Sequence, residues 1–150
     1  MDKMYADDLH VGDVYPCGTY EVTLEELVEF ATKWDRQDFH TDAAAAEASV
    51  YGGLIASGVH TIAINQRLSV EAVYRHWHVI AGRSLGNVQF VRPVRAGDVL
   101  SGHLEITAIA PEPDRARALI GVAVTVTNGK GRQVLTASTG LYVHLAPSGD

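Results

Sequence analysis

One segment of the sequence restricts the fold more than any other. From Gly58 to His76, apolar residues recur at helical spacing on more than one side. Val59 and Val70 lie along one side, and Ile64 and Leu68 fill the positions between. Because a helix that is apolar over most of its circumference is normally buried, this one needs other elements packed around it. We therefore expect a long, buried helix over Gly58–His76.

The pattern after this helix changes to an alternation with period two, which is typical of strands. Asn128-Gly129 is the strongest turn signal in the chain and predicts a hairpin. The expected strands are Tyr15–Val22, Asn87–Val91, Val99–Ile109, Ala118–Thr127 and Gln133–Val143. Strands of this kind around one buried helix predict an α+β protein. A curved antiparallel sheet wrapped around a long central helix is the hot-dog fold.

A shorter amphipathic helix precedes these elements. Thr23-Leu24-Glu25-Glu26 has the pattern of a capping box, and the apolar spacing that follows predicts a helix ending near Trp34. The next residues are polar until Asp42, which is expected to cap a short alanine-rich helix over residues 43–48.

Composition excludes several classes of function. The 150 residues favour one domain, spanning 1–150, and the formal charge of −6 without a Lys/Arg run argues against nucleic-acid binding. Cys17 is the only cysteine, so neither an intrachain disulfide nor a thiolate metal cluster is expected. No apolar leader or membrane-spanning window is present, which predicts a cytoplasmic protein that does not bind membranes.

Two stretches resemble a known family. WDRQDFHTD, followed by YGGLIASGVHT, is similar to the MaoC-like (R)-specific enoyl-CoA hydratases and dehydratases. The motif of that family approximates Asp-x-Asn-Pro-x-His, and Asp35 and His40 stand at its acid and histidine positions. Gly58 follows His40 by 18 residues and opens the long helix. A later stretch, FVRPVRAGD, is also similar, and the likeness extends from about residue 8 to residue 144.

The resemblance implies a reaction and three catalytic residues. Asp35 and His40 each supply a group that transfers protons. The family implies that both act on one water molecule, which adds to a 2-enoyl thioester to give an (R)-3-hydroxyacyl product, or leaves in the reverse direction. The Gly58 amide, at the positive end of a helix, is the expected oxyanion donor. The substrate would be a thioester of CoA or of acyl-carrier protein, without a cofactor or metal.

The chain departs from the family motif at two places. Gln37 and Asp38 replace Asn-Pro, and Ser57 stands where many relatives carry His. Gln can replace Asn as an amide partner, whereas losing Pro removes a fixed φ angle. The main role expected for Ser57 is to cap the long helix, and the second is to contact the substrate. The expected substrate-binding residues are Ser57, Gln37, Phe39, Tyr51 and Arg92.

Further polar and aromatic residues have weaker assignments. Asn65 or Gln66, about two turns into the long helix, is expected to orient Asp35, while His60 is either structural or part of the pocket. Three arginines are candidates for binding the phosphate of a pantetheine tail: Arg83, Arg92 and Arg95. The alternative for each is that it is simply a solvated charge on the surface. Candidates for closing the acyl tunnel are Tyr51, Leu54, Trp77 and Phe39.

Two other functions remain open at the level of sequence. A hot-dog thioesterase also uses a carboxylate and a helix-start amide, but releases a free thiol. A non-catalytic acyl-CoA-binding or partner subunit would retain the fold, and Gln37-Asp38 keeps that alternative open. The family resemblance implies a homodimer, and the physical argument agrees, because one hot-dog unit leaves a sheet edge unpaired.

Overall fold

The computed structural model describes residues 2–148, in which five strands form one antiparallel sheet and four α-helices accompany it. The strands are β1 (Val14–Glu21), β2 (Val79–Phe90), β3 (Val99–Glu112), β4 (Arg117–Thr127) and β5 (Gln133–His144). The helices are α1 (Leu24–Trp34), α2 (Asp38–Thr41), α3 (Ala43–Ala48) and α4 (Gly58–Ala72). Short 3-10 turns lie at Ala6–Asp8, Tyr74–His76 and Pro113–Arg115.

The sheet has the order β1-β3-β4-β5-β2, and one of its faces carries the core. Alternate residues of β4 are buried, which is the period of two expected for a strand with one covered face. Gly102 lets α4 pack closely against β3, because a Cβ there would lie 3.3 Å from Cδ1 of Leu68. The predicted hot-dog architecture, an antiparallel sheet around a central helix, is confirmed.

The ends of the short helices are capped as the sequence predicts, with one difference. The Thr23 hydroxyl accepts a hydrogen bond from the Glu26 N–H, and the Asp42 carboxylate accepts from two amides in the first turn of α3. The carboxylate of Glu26, however, accepts from the Tyr20 hydroxyl at 2.6 and 2.8 Å. Tyr20 lies on β1, so the residue expected to complete a local capping box connects α1 to the sheet instead.

The long helix is shorter than predicted. It begins at Gly58 as expected but ends at Ala72 rather than His76, and a 3-10 turn follows. The chain turns there because Tyr74 and Trp77 are both buried, with their ring centroids 5.5 Å apart. Burying two large aromatic side chains outweighs the small gain from another turn of helix.

The expectation that α4 is buried on all sides is wrong. Its buried residues lie on one side, whereas Val59 and Val70 on the other are 53% and 37% exposed. A single sheet covers a helix on one side only, so the apolar residues opposite it are left at the surface of this chain. Sequence periodicity cannot distinguish burial by the same chain from burial by a partner.

Strand β2 extends the apolar surface left open by α4. The sequence predicts a strand only over Asn87–Val91, whereas β2 spans Val79–Phe90 at the edge of the sheet. Leu85 and Phe90 are 51% and 57% exposed. Residues of β2 and of the open side of α4 line one cavity of 560 Å³. An edge strand with exposed apolar residues is a site for pairing with another chain.

The core predicts a clear difference between two truncations on β3. Leu104 is 1% exposed and Val99 is 43% exposed. We expect Leu104→Ala to lower the free energy of unfolding by about 2–5 kcal/mol, because it leaves a cavity between the sheet and α4. Val99→Ala should cost less than about 1 kcal/mol. Urea unfolding of both variants measures the difference, and similar losses would contradict this description of the core.

Candidate active site

The segment between α1 and α4 brings two helix ends together. Asp35 follows the last residue of α1, and its N–H donates to the carbonyl of Ala31 at 2.8 Å. Ser57 precedes the first residue of α4, and its hydroxyl oxygen accepts from the Val59 N–H at 3.2 Å. The same hydroxyl donates to Oδ2 of Asp35 at 2.7 Å. The carboxylate is therefore held at the N-terminal end of the long helix, where the helix dipole favours negative charge.

Two hydrogen bonds stabilise the ionised form of Asp35. The Ser57 hydroxyl has the larger effect on its pKa, and the amide of Gln37, donating to Oδ1 at 2.8 Å, has the next largest. Together they hold the pKa of Asp35 below its ordinary value of 3.8, although partial burial acts in the opposite direction. At neutral pH the group is consequently a carboxylate, which only accepts hydrogen bonds.

The neighbouring histidine is buried and held by the backbone. His40 lies in α2, and its Nδ1 is 2.7 Å from the carbonyl oxygen of Ile55. Because a carbonyl only accepts, Nδ1 carries the hydrogen, and Nε2 of the neutral ring has the lone pair. Nε2 lies 3.4 Å from Oδ2 of Asp35. The ring of Phe39 packs edge-on against the imidazole, with centroids 4.5 Å apart.

The first residue of α4 supplies a backbone donor. Among residues 2–148, no acceptor receives a hydrogen bond from the Gly58 N–H. The first amides of a helix lack intrahelical partners, so they are suited to an anionic or strongly polarised oxygen. A Cβ on Gly58 would lie only 2.6 Å from Cε1 of Phe90. The Phe90 ring therefore occupies space that a side chain at position 58 would need.

One cavity of 370 Å³ connects these groups. It is lined by the expected catalytic and substrate-binding residues except Ser57, which is fully buried behind the Asp35 carboxylate. Its lining includes Asp35, Gln37, Phe39, His40, Tyr51, Gly58 and Arg92. An acid, a histidine and a free amide therefore face a single space that is otherwise mainly apolar, an arrangement suited to acid–base chemistry on a ligand with a polarised carbonyl group.

The expected substrate-binding residues also contact protein. Gln37 bonds to Asp35, as described, and the rings of Phe39 and Tyr51 lie 5.4 Å apart on one wall. Arg92 donates to the carbonyl oxygen of Gln133 at 2.9 Å, which holds its guanidinium beside the cavity.

The expectation that Asn65 or Gln66 orients the acid is wrong. The side chains that donate to Asp35 are Ser57 and Gln37, while Asn65 and Gln66 line the 560 Å³ cavity beside β2. The helix start is nearer to Asp35 than its middle, because α1 ends beside that start. Helical spacing identifies a face of α4, but not which end of it meets α1.

His60 contacts α1 instead of lining the cavity of Asp35. Its ring is 2% exposed and stacks on Phe30 with centroids 4.5 Å apart, and Nε2 lies 3.4 Å from Oε1 of Glu26. It therefore helps to hold α4 against α1. Of the other candidates, Trp77 belongs to the core, Arg83 lines the cavity beside β2, and Arg95 donates to the carbonyl oxygen of Tyr51 at 2.6 Å.

Two parts of the site were missed at the level of sequence. The Ile55 carbonyl carries no side-chain signal, since any residue supplies one. Phe90 begins the family-like stretch FVRPVRAGD, but nothing in the sequence predicts its contact with Gly58, because that contact forms only on folding. Among the described residues, His, Cys, Asp and Glu form no group of three able to hold a metal ion. Within residues 2–148, none of the helices combines the length and apolar character needed to span a membrane.

The chain is similar to known proteins in both sequence and structure. A family model described as "MaoC like domain" matches residues 11–128. The uncharacterized protein YdeM of Bacillus subtilis is 26% identical over 93% of this chain and 99% of its own length. A MaoC-like dehydratase from Rhodospirillum rubrum has a similar structure, with a TM-score of 0.87, 31% identity, and coverage of 97% of this chain and 99% of that one.

A second solved structure is the R-hydratase PhaJ1 from Pseudomonas aeruginosa, with a TM-score of 0.76 and 26% identity, covering 99% of this chain and 95% of that one. Fold and site together define a hot-dog protein with an acid and a histidine at the start of its central helix. The family model covers most of the chain, so the chain belongs to the MaoC-like domain family.

The hydrogen bond from Ser57 predicts a change in the titration of Asp35. We expect Ser57→Ala to raise the pKa of Asp35, because the donor with the largest effect on that pKa is lost. The carboxyl signal in a carbon NMR titration reports this pKa directly. Loss of the helix cap should also cost about 1 kcal/mol of stability. Ser138→Ala, at an exposed position of β5, is the control and should leave the titration unchanged.

Proposed function

We propose that the protein is an (R)-specific hydratase or dehydratase acting on a 2-enoyl or 3-hydroxyacyl thioester. The observation that carries the proposal is the placement of Asp35, His40 and the Gly58 amide around one cavity. The first two supply proton transfer, and the third supplies the donor that a thioester oxygen needs as negative charge develops on it. The similarity to a MaoC-like dehydratase and to an R-hydratase supports this reaction.

The positions of the two side chains suggest where a water molecule binds. Ionised Asp35 accepts hydrogen bonds, and Nε2 of His40 also accepts when the ring is neutral with its hydrogen on Nδ1; Nε2 and Oδ2 are 3.4 Å apart and can be bridged from the cavity side. A water molecule that donates one hydrogen to each would satisfy both. Such a water has its oxygen lone pairs directed away from the pair, towards the cavity. We propose that this is the water that adds to the substrate.

The reaction follows from that arrangement. The water oxygen forms a bond to C3 of the substrate, and one proton of the water passes to the Asp35–His40 pair. The electrons of the double bond move into an enolate, whose oxygen accepts a hydrogen bond from the Gly58 N–H. The pair then returns a proton to C2. Water and proton arrive on the same face, because one pair handles both, and this gives syn addition. Dehydration is the reverse. Removing one oxyanion donor typically raises the barrier by about 2.7–4 kcal/mol.

The departure from the Asn-Pro motif is compatible with this chemistry. Gln37 supplies the amide that donates to Asp35, at 2.8 Å. Asp38 is the first residue of α2, a position at which Pro is favoured because its φ suits a helix and its missing N–H is not needed. A carboxylate at that position is also favoured, by the helix dipole. Both replacements therefore preserve the local structure that holds His40.

Substrate contacts and assembly complete the proposal. Phe39 and Tyr51 would contact the acyl group, while Arg92 would contact the phosphate-bearing carrier, either CoA or acyl-carrier protein. We also propose a homodimer formed through β2 and the open side of α4, since both expose apolar residues around one cavity.

The catalytic proposal is tested with enoyl-CoA substrates of several chain lengths. The wild-type protein should remove the conjugated enoyl absorbance and yield the (R)-3-hydroxyacyl product. Asp35→Asn and His40→Ala should each lower turnover by about 10²–10⁴-fold, the range for loss of a general acid or base. Asp114→Asn and His103→Ala, both at exposed positions, are matched controls and should retain full activity.

The same preparations discriminate the alternatives. Release of free thiol from acyl-CoA without hydration would indicate a thioesterase. Binding of acyl-CoA without any conversion would indicate a non-catalytic subunit. Full hydratase activity in either dyad variant would contradict the mechanism.

The proposed dimer is tested by introducing a glutamate at each of the two edge strands in turn, one in the proposed interface and one as a control. Leu85→Glu on β2 should shift the mass measured by light scattering from dimer to monomer, because it places a charge in the proposed interface. Val14→Glu on the opposite edge strand, β1, changes a residue of similar exposure, 62% against 51%, and should leave the dimer intact. A monomeric wild-type protein would contradict the proposed assembly.

A further inference from the structure

The ring of Phe90 lies directly against the start of the central helix. A Cβ added to Gly58 would be 2.6 Å from Cε1 and 2.7 Å from Cζ of that ring. Real Cβ atoms do not approach other atoms so closely, so the ring takes the volume that any side chain at position 58 would need. A side chain at position 58 would therefore require the Phe90 ring to move.

The backbone holds Phe90 in place while its ring stays partly open. Phe90 is the last residue of β2 and pairs with Leu135 on β5, and the next amide, that of Val91, donates to the Val134 carbonyl at 2.9 Å. The side chain is nevertheless 57% exposed. It lines the same 370 Å³ cavity as Asp35, so one surface of the ring contacts Gly58 and another bounds the proposed reaction space.

The direction of the helix places this ring beside the oxyanion donor. In an α-helix, Cα–Cβ bonds tilt towards the N-terminus, the end at which the free N–H groups also point. Since two ring atoms lie within 2.7 Å of the position that a Cβ of residue 58 would take, a thioester oxygen bound by the Gly58 N–H would lie near Phe90. The atoms bonded to that carbonyl carbon, sulfur on one side and C2 on the other, would then be in reach of the ring.

Resting on the proposed function, we infer that Phe90 is a specificity-determining residue that excludes acyl groups branched at C2. In a straight acyl chain, C3 is the only carbon bonded to C2 apart from the carbonyl carbon, and the chain can pass along the ring. A methyl group on C2 adds a second substituent at one of the two atoms in reach of the ring, and pairing with Leu135 on β5 holds the backbone of Phe90. The substrate class is thus narrowed to thioesters unbranched at C2.

The test measures binding, so it does not depend on turnover. Butyryl-CoA and isobutyryl-CoA are isomers that differ in the branch at C2. By titration calorimetry, the wild-type protein should bind butyryl-CoA roughly tenfold more tightly, the lower end of the effect of one misplaced methyl group. Phe90→Ala, and to a smaller degree Phe90→Leu, should reduce this ratio to within about threefold. Val14→Ala, at a position of similar exposure on β1, should leave the ratio at its wild-type value.

Each outcome has a definite meaning. Equal affinity of the wild-type protein for the two esters, no binding of either, or an unchanged ratio in both Phe90 variants would overturn the inference. Binding with the expected ratios but no hydration of crotonyl-CoA would overturn the proposed function and leave the inference about Phe90 standing. The two failures are therefore distinguishable.

A second measurement tests the contact itself. Gly58→Ala should lower the melting temperature, because the new methyl group meets the Phe90 ring. In the Phe90→Ala background, the same change should cost less, since the ring is absent. Equal losses in both backgrounds would show that Phe90 does not limit the space at position 58.

Discussion

The hydroxyl group of Ser57 makes two hydrogen bonds on which the rest of the site depends. It accepts from the first turn of α4 and donates to the carboxylate that ends α1. A single buried side chain thus caps the long helix and places an ionised acid at its positive end. This arrangement is stabilising in two ways. The cap gives a hydrogen-bond partner to an N–H in the first turn of α4, and the helix dipole stabilises the Asp35 carboxylate. The hydrogen bond from Ser57 is also the largest cause of the lowered pKa of Asp35.

Backbone groups determine the remaining electrostatics. The Ile55 carbonyl accepts a hydrogen bond from Nδ1 of His40, so that Nε2 is the ring atom facing Asp35. The Gly58 amide, a few residues further on, is a donor without a partner in the described chain. Residues 55–58 therefore supply a carbonyl, a hydroxyl and an amide to one small space. Backbone groups held at a helix end need little reorganisation as charge develops, which is a common source of catalytic stabilisation.

The same end of α4 meets the edge of the sheet. Phe90, at the end of β2, contacts Gly58, and the remainder of β2 exposes apolar residues towards the uncovered side of α4. The proposed reaction site and the proposed interface are thus adjacent along one strand. Because one sheet covers a helix on one side only, the apolar residues on the other side of α4 stay at the surface of this chain, where the proposed homodimer would bury them.

Local patterns in the sequence determined much of the fold, including four of the five strands, the capped helices and the start of the long helix at Gly58, but only the end of β2. The family-like spacing also identified the acid and the histidine, since both lie in a short segment. Only the tertiary structure decided which groups meet. Ser57 rather than Asn65 reaches Asp35, α4 ends at Ala72 because aromatic rings enter the core, and the Phe90 ring takes the space beside Gly58. Spacing along a chain defines faces and turns, whereas contacts between distant residues depend on how whole elements pack.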